Sequence, residues 1–279
     1  MDSLDISIYF FFFFFTTTIY IHLKQQRTFT MTKSQPEKGM WVIGYGSLIF
    51  KPPPHVSHRI TGYIQGYIRR FWQSSIDHRG TPSSPGRVVT LISLDELRND
   101  RFFHNDLHTY EVHNGDNDTA DTGADVDVDH HLIDQLQPQD LKVYGCAYYI
   151  APQHVDEVKQ YLDIREQNGY ELKSVKFYIK EVQAEQDNVV DLISSTHIPA
   201  SDLHWDEFGA YIESLIYIGG LDLKSFIGPE LIHDTAKIIK TNVGPSGKNS
   251  EYLIKLTHAV RELNCRDYYL EDLLKLIEE

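Results

Sequence analysis

Short apolar runs come early in the chain, and helical periodicity comes late. Residues 41–45, Trp41-Val42-Ile43-Gly44-Tyr45, form a compact apolar run that ends on a glycine turn, as a buried strand would. Residues 59–68 place Ile60, Tyr63, Ile64, Tyr67 and Ile68 between glycines, and residues 88–92 and 143–150 are β-branched and aromatic; all three stretches predict strands. Residues 152–165 change period: Val155, Val158, Tyr161 and Leu162 recur at helical spacing, with Pro152 suited to the start. Residues 175–179 return to strand, and helices are predicted over 229–241, 250–263 and 268–277. Strands first, interleaved helices and then a helical tail predict one α+β domain spanning about 39–279, with no internal repeat.

Two stretches break the pattern. Between residues 99 and 139, ten acidic residues face one arginine, and large apolar residues are few. Such a segment buries too little surface to offset its ordering entropy, so residues 99–139 read as a disordered acidic insertion. The run Asp125-Val126-Asp127-Val128-Asp129-His130-His131 invites a calcium-loop reading. The sixth and twelfth positions, which need Gly and Glu, hold His130 and Leu136, so a solvated loop is the better reading and no metal is expected. At the other end, residues 6–23 are nearly uncharged and include six consecutive phenylalanines. That length approaches a membrane span, and Lys24 and Arg27 behind it would leave the rest of the chain in the cytosol. The alternative is a low-complexity extension of the reading frame, with Met31 or Met40 the working start. No function is assigned to residues 1–38, and membrane contact is expected only if residues 6–23 are an anchor.

Composition narrows the function classes. With 26 basic against 40 acidic residues the net charge is −14, unsuited to a nucleic-acid partner. Two cysteines outside any zinc spacing point to a reducing compartment, hence a cytoplasmic protein. Gly44-Tyr45-Gly46-Ser47-Leu48-Ile49 lacks the third glycine of a dinucleotide fingerprint, and Pro52-Pro53-Pro54 stands where the phosphate-binding helix would run. What remains is a tight turn able to present backbone N–H groups to a carboxylate or oxyanion, or a plain structural turn. Gly244-Pro245-Ser246-Gly247-Lys248 misses the P-loop pattern at Asn242 and Asn249 and reads as a rigid helix entry. Asp77 and His78 read as turn polar groups, since neighbours on a strand face opposite ways. Glu166 lies in the last turn of a predicted helix, where a carboxylate is disfavoured by about 0.3–1 kcal/mol. It is there either for function or for a surface pair with Arg165.

Taken together, Gly44-Tyr45-Gly46-Ser47-Leu48-Ile49, Arg70-Phe71-Trp72-Gln73-Ser74, Asp77-His78-Arg79-Gly80-Thr81-Pro82, Pro85-Gly86-Arg87-Val88-Val89-Thr90-Leu91, Tyr161-Leu162-Asp163-Ile164-Arg165-Glu166-Gln167-Asn168-Gly169-Tyr170 and Gly244-Pro245-Ser246-Gly247 resemble, in order, the ChaC family of glutathione-specific γ-glutamylcyclotransferases. The resemblance runs from about Trp41 to the C-terminus. It implies a γ-glutamylcyclotransferase-like fold, a small mixed, barrel-like sheet flanked by helices. It also implies that Glu166 is the catalytic acid/base. Val42, Ile43, Gly44, Tyr45, Gly46, Ser47 and Leu48 would then hold the γ-glutamyl group, with Tyr170, Tyr144 and Tyr148 as further candidates for the pocket wall.

That chemistry needs no cofactor and no metal. In glutathione the α-amine already sits within five-membered-ring reach of its own γ-carbonyl, and well-oriented intramolecular attack reaches effective molarities of roughly 10⁵–10⁸ M. One carboxylate can take a proton from the ammonium and return one to the leaving amine. An ordinary Glu near pKa ~4.3 is a weak base toward an α-ammonium near ~8. Glu166 is therefore expected to be partly buried and raised toward ~6–7. The rival expectations are a non-catalytic γ-glutamyl-binding regulatory module and a cyclotransferase acting on other γ-glutamyl amines.

Overall fold

The computed structural model describes residues 38–100, 103–112, 134–165, 170–180 and 198–279. Apart from Lys38, the tail 1–38 lies outside these residues, and so do residues 6–23, residues 125–131 and Glu166. No helix among the described residues is long and apolar enough to cross a membrane.

Five strands close on themselves. β1 (Met40–Gly44) pairs with an antiparallel neighbour over its whole length, Met40 opposite Ile150 and Gly44 opposite Cys146, in the strand that will be β5 (Lys142–Ile150). β2 (Val56–Gln65) lies on the other side of that strand and also pairs with β6 (Tyr170–Ile179), which pairs in turn with β8 (Gly209–Gly219). β8 meets β1 in parallel at Val42 and Leu215, which completes the ring. The short β7 (Leu203–Asp206) extends the sheet beyond β8. The result is the mixed, barrel-like sheet the family resemblance implies. All five residues of β1 are buried, which explains their unbroken apolar run. In β2 burial alternates along the strand, as a half-covered one should.

A separate antiparallel pair, β3 (Tyr67–Ser75) and β4 (Gly86–Ser93), carries the helical layer. α1 (Leu94–Asn99) follows β4 through a reciprocal capping box, in which Ser93 accepts from the Glu96 N–H and Glu96 accepts from the Ser93 N–H. α2 (His104–Leu107) is a single turn, and α3 (Val155–Arg165) follows a 3₁₀ turn at Pro152–His154. α4 (Ile232–Thr241), α5 (Asn249–Glu262) and α6 (Tyr268–Glu278) complete the layer. In α5, Tyr252, Leu253, Leu256, Ala259 and Val260 form one buried stripe at helical spacing, and it joins the barrel residues in a single apolar core.

The departures from the sequence reading have identifiable causes. The predicted 59–68 strand is two strands, because Gly66 turns the chain at φ 76° and residues 67–68 belong to β3. Helix 229–241 starts only at Ile232, and strand 175–179 extends back to Tyr170. Parts of the acidic segment 99–139 lie among the described residues, and the rest of that expectation falls outside them. α2, the π-turn at His108–Val112 and the 3₁₀ turn at Pro138–Asp140 are ordered. Arg70, on buried β3, is the cause. Its guanidinium donates to Asp106 (2.6 Å) and Glu111 (2.9 Å) and lies 4.7 Å from the Tyr269 ring. Burial opposes its charge, but Asp106, Glu111 and Asp267 outweigh it and raise its pKa. A buried cation needs such partners. Part of the acidic segment supplies them, and Phe103 and Leu107 pack beside Trp72 in a second apolar cluster.

Candidate active site

The chain leaves the barrel at Gly44 and turns through a 3₁₀ segment at Ser47–Ile49. Every carbonyl from residue 45 to residue 49 is taken by a protein donor. Arg69 donates to the Tyr45 carbonyl (2.8 Å), the Ile49 N–H to Gly46 (3.0 Å) and the Lys51 N–H to Ser47 (2.8 Å). The Tyr148 hydroxyl donates to Leu48 (2.8 Å) and, at longer range, to Ile49 (3.2 Å). Arg69 is itself held. Its Nε and Nη2 donate to the Asp267 carboxylate at 3.0 and 2.8 Å, and Nη1 also reaches the Tyr144 carbonyl at 3.0 Å. Asp267 is the N-cap of α6, accepting from the Leu270 N–H, so the C-terminal helix and the turn share one buried arginine. Gly46 is required by space. A Cβ there would lie 2.9 Å from Val89 Cγ2 and 3.0 Å from the Tyr252 hydroxyl.

This turn forms one wall of a cavity of about 410 Å³. Of the seven turn residues singled out by sequence, Ile43, Tyr45, Gly46, Ser47 and Leu48 line it. Val42 and Gly44 do not. Val42 is 1 % exposed within the barrel, and its backbone pairs with β5 and β8. Tyr170 also lines this cavity. Tyr148 lies in the core and acts on the turn through its hydroxyl, while Tyr144 borders a different, small cavity.

The last turn of α3 is fixed against the cavity at two points. The Tyr217 hydroxyl donates to Asp163 (2.7 Å), and Arg165 Nη2 donates to the Ser47 hydroxyl (2.6 Å). Arg165 and Tyr170 both line the cavity; Glu166 follows Arg165 in the chain and lies outside the described residues.

The wall is cationic. Lys51, Arg79 and Arg165 contribute three side chains of positive charge, His78 stands beside them, and no acidic side chain among the described residues lines the cavity. Burial lowers the Arg79 pKa, opposed by Glu251 at 3.7 Å and by Tyr252, and a guanidinium stays charged throughout the physiological range. Sequence reasoning placed Asp77 and His78 in a plain turn. His78 borders this cavity and, with Asp77, an adjoining space of about 520 Å³. The 244–248 turn is a structural entry, as its sequence suggested. An added Cβ at Gly244 would come within 2.3 Å of the His78 carbonyl oxygen, so glycine lets the two loops touch, and Ser246 accompanies it into the cavity wall. Lys51, Tyr217 and Tyr252 were missed, and no local pattern marks them.

The arrangement can hold an anionic molecule of modest size between a rigid turn and three cations. Sequence comparison matches the ChaC-like protein family over residues 40–279. A glutathione-specific γ-glutamylcyclotransferase of Saccharomyces cerevisiae is 38 % identical over 251 residues, covering 86 % of this chain and 97 % of the yeast protein. The Schizosaccharomyces pombe protein of the same name is 32 % identical, covering 84 % of this chain and 89 % of its own length. Among solved structures, a crystal structure of the yeast γ-glutamyl cyclotransferase specific to glutathione superposes with a TM-score of 0.69 at 37 % identity, covering 87 % of this chain and 96 % of that one.

Proposed function

The chain belongs to the ChaC-like protein family, and from that premise we propose that it cleaves glutathione to 5-oxoproline and Cys-Gly. The observation that carries the reading is the cavity itself, a turn with all its carbonyls engaged facing three cationic side chains. Glutathione at neutral pH carries two carboxylates and one ammonium, so its net charge suits this wall although the whole chain is strongly acidic. In this reading backbone N–H groups of the turn at residues 46–48 meet the γ-glutamyl carboxylate or the oxyanion formed at the γ-carbonyl.

Glu166 is the acid/base in this reading. Its support is its place in the sequence: it follows Arg165, whose side chain is fixed on the cavity wall by Ser47. The Glu166 carboxylate takes a proton from the α-ammonium, and the freed amine attacks the γ-carbonyl carbon. The tetrahedral adduct then expels the cysteinyl amine as the same carboxyl group returns a proton to it, and the second proton of the ring nitrogen passes to the released amine, which leaves as the ammonium of Cys-Gly. One C–N bond forms and one breaks, with no net gain or loss of atoms or electrons. The catalytic domain spans residues 39–279, and both cysteines, Cys146 and Cys265, are free, which supports a reducing, cytoplasmic setting.

The test is direct. The purified protein should release 5-oxoproline from glutathione, with γ-glutamyl-alanine turned over far more slowly. Glu166→Gln should abolish release while leaving the melting temperature unchanged. Full activity in Glu166→Gln removes that residue from the mechanism. Thermal stabilisation by glutathione without product would make the domain a binding module.

A further inference from the structure

At the end of α3 opposite Arg165, two histidines and a glutamate converge. Among the described residues, His55, His154 and Glu157 place one ligand atom each within 4.8 Å of one another. His55 Nε2 lies 3.0 Å from Glu157 Oε1, and His154 Nδ1 lies 4.0 Å from Glu157 Oε2. The two imidazoles stack face to face, with centroids 4.1 Å apart and planes 4° from parallel. His55 takes φ 57°, a left-handed conformation that costs a non-glycine residue energy and here brings its ring over His154.

From this geometry we infer that His55, His154 and Glu157 form a binding site for a first-row divalent transition ion, distinct from the cyclotransferase cavity. Two imidazole nitrogens and one carboxylate are a donor set for Zn²⁺, Co²⁺, Ni²⁺ or Cu²⁺. Mg²⁺ and Ca²⁺ prefer oxygen ligands. Each imidazole is 34 % exposed, so the rings can turn out of the stack toward a shared ion while water fills the remaining positions. The eleven residues of α3 put about 16 Å between this end and the catalytic one. The ion would cross-link the segment leaving the substrate turn to the start of α3.

The test uses the full chain without an affinity tag. Zn²⁺ alone is titrated by calorimetry at pH 7.5, and Co²⁺ serves as the visible-absorption probe. The expected result is one saturable equivalent of Zn²⁺, weakened by at least about 10–100-fold in the double variant His55→Asn/His154→Gln and in Glu157→Gln. Asn tolerates the left-handed backbone at position 55, and circular dichroism checks that the fold survives. His130→Ala/His131→Ala, which alters the other His-rich run, should retain the equivalent and the Co²⁺ spectrum. If Zn²⁺ binding is unchanged in the double variant, or if the wild-type chain binds no ion more tightly than about 1 mM, the cluster is only a stacked, hydrogen-bonded surface pair and the inference falls.

Discussion

Arg69→Lys separates holding the fold from holding the site. The native guanidinium is 2 % exposed and makes four bonds: two to Asp267, one to the Tyr45 carbonyl and one to the Tyr144 carbonyl. An ammonium keeps the charge but lacks the planar fork, so it can stay with Asp267 only by releasing at least one carbonyl. A hydrogen bond to a charged group is worth about 1.5–3 kcal/mol, and the two carbonyl bonds are not additive, so a stability loss of about 2–4 kcal/mol is expected. For a domain of this size that is a fall in Tm of about 4–16 °C. The Tyr45 carbonyl belongs to the same peptide plane as the Gly46 N–H on the cavity wall. Losing that anchor should cost a comparable 1.5–3 kcal/mol of transition-state stabilisation, about 10–150-fold in kcat/KM. Asp267→Asn is the control. It removes the charge and one of the two acceptor oxygens, which serve Arg69 and the Leu270 N–H, but leaves the bonds of Arg69 to the Tyr45 and Tyr144 carbonyls, so Tm should fall with activity nearly unchanged. Thermal melts and a 5-oxoproline assay read both quantities. If Arg69→Lys lowers Tm but leaves kcat/KM within twofold of wild type, Arg69 does not position the turn.

Two further outcomes are expected. Gly46→Ala should lower Tm by several degrees and remove most activity, because its Cβ would press on Val89, 3 % exposed, and on the Tyr252 hydroxyl, and overpacking of this kind costs about 1–3 kcal/mol; wild-type turnover in that variant would mean the turn has room to move. The Asp206 pKa lies below its usual value. Burial pushes it up but is outweighed by hydrogen bonds from Lys176, the Phe208 N–H and Tyr178. A depressed carboxylate stabilises the fold above its unfolded pKa and loses that contribution as pH falls through the folded one. Wild-type Tm should therefore drop more steeply than that of Asp206→Asn on acidification from pH 5 to pH 3, and parallel curves would contradict the assignment.

What the sequence made legible was local. The run at residues 41–45 and the turn after it could be read because strand, glycine and turn are contiguous. α3, α5 and α6 could be read because each carries its own buried stripe and end signals. β8 went unread although it closes the barrel. Its buried positions Ala210, Ile212, Ser214, Ile216 and Ile218 alternate as a strand should, but Gly209, Glu213 and Ser214 dilute the apolar run. β3 was hidden for the opposite reason: Arg69 and Arg70 lie inside it, and two arginines argue against a buried strand until their partners are known. Those partners are Asp106, Glu111 and Asp267, up to 198 residues away in the chain. The same separation hid the cationic wall. Lys51 and Arg79 lie in two loops and Arg165 ends α3, and the fold brings the three to one cavity.

Charge therefore has two uses in this fold, and they meet at neighbouring residues of β3. Arg70 recruits part of an acidic segment whose composition alone predicts disorder, while Arg69 ties the C-terminal helix to the cavity-lining turn. An arginine in a strand interior is costly unless its donors are met. Here the donors of Arg69 are met by the carbonyl of a cavity-lining residue, Tyr45, and by the N-cap carboxylate of α6. The C-terminal helix is thus joined to the cavity wall through Arg69. Damage to the α6 cap should therefore reach catalysis only as far as it disturbs the bond between Arg69 and Tyr45, and for that reason the Arg69→Lys and Asp267→Asn variants should diverge in activity while both lose stability.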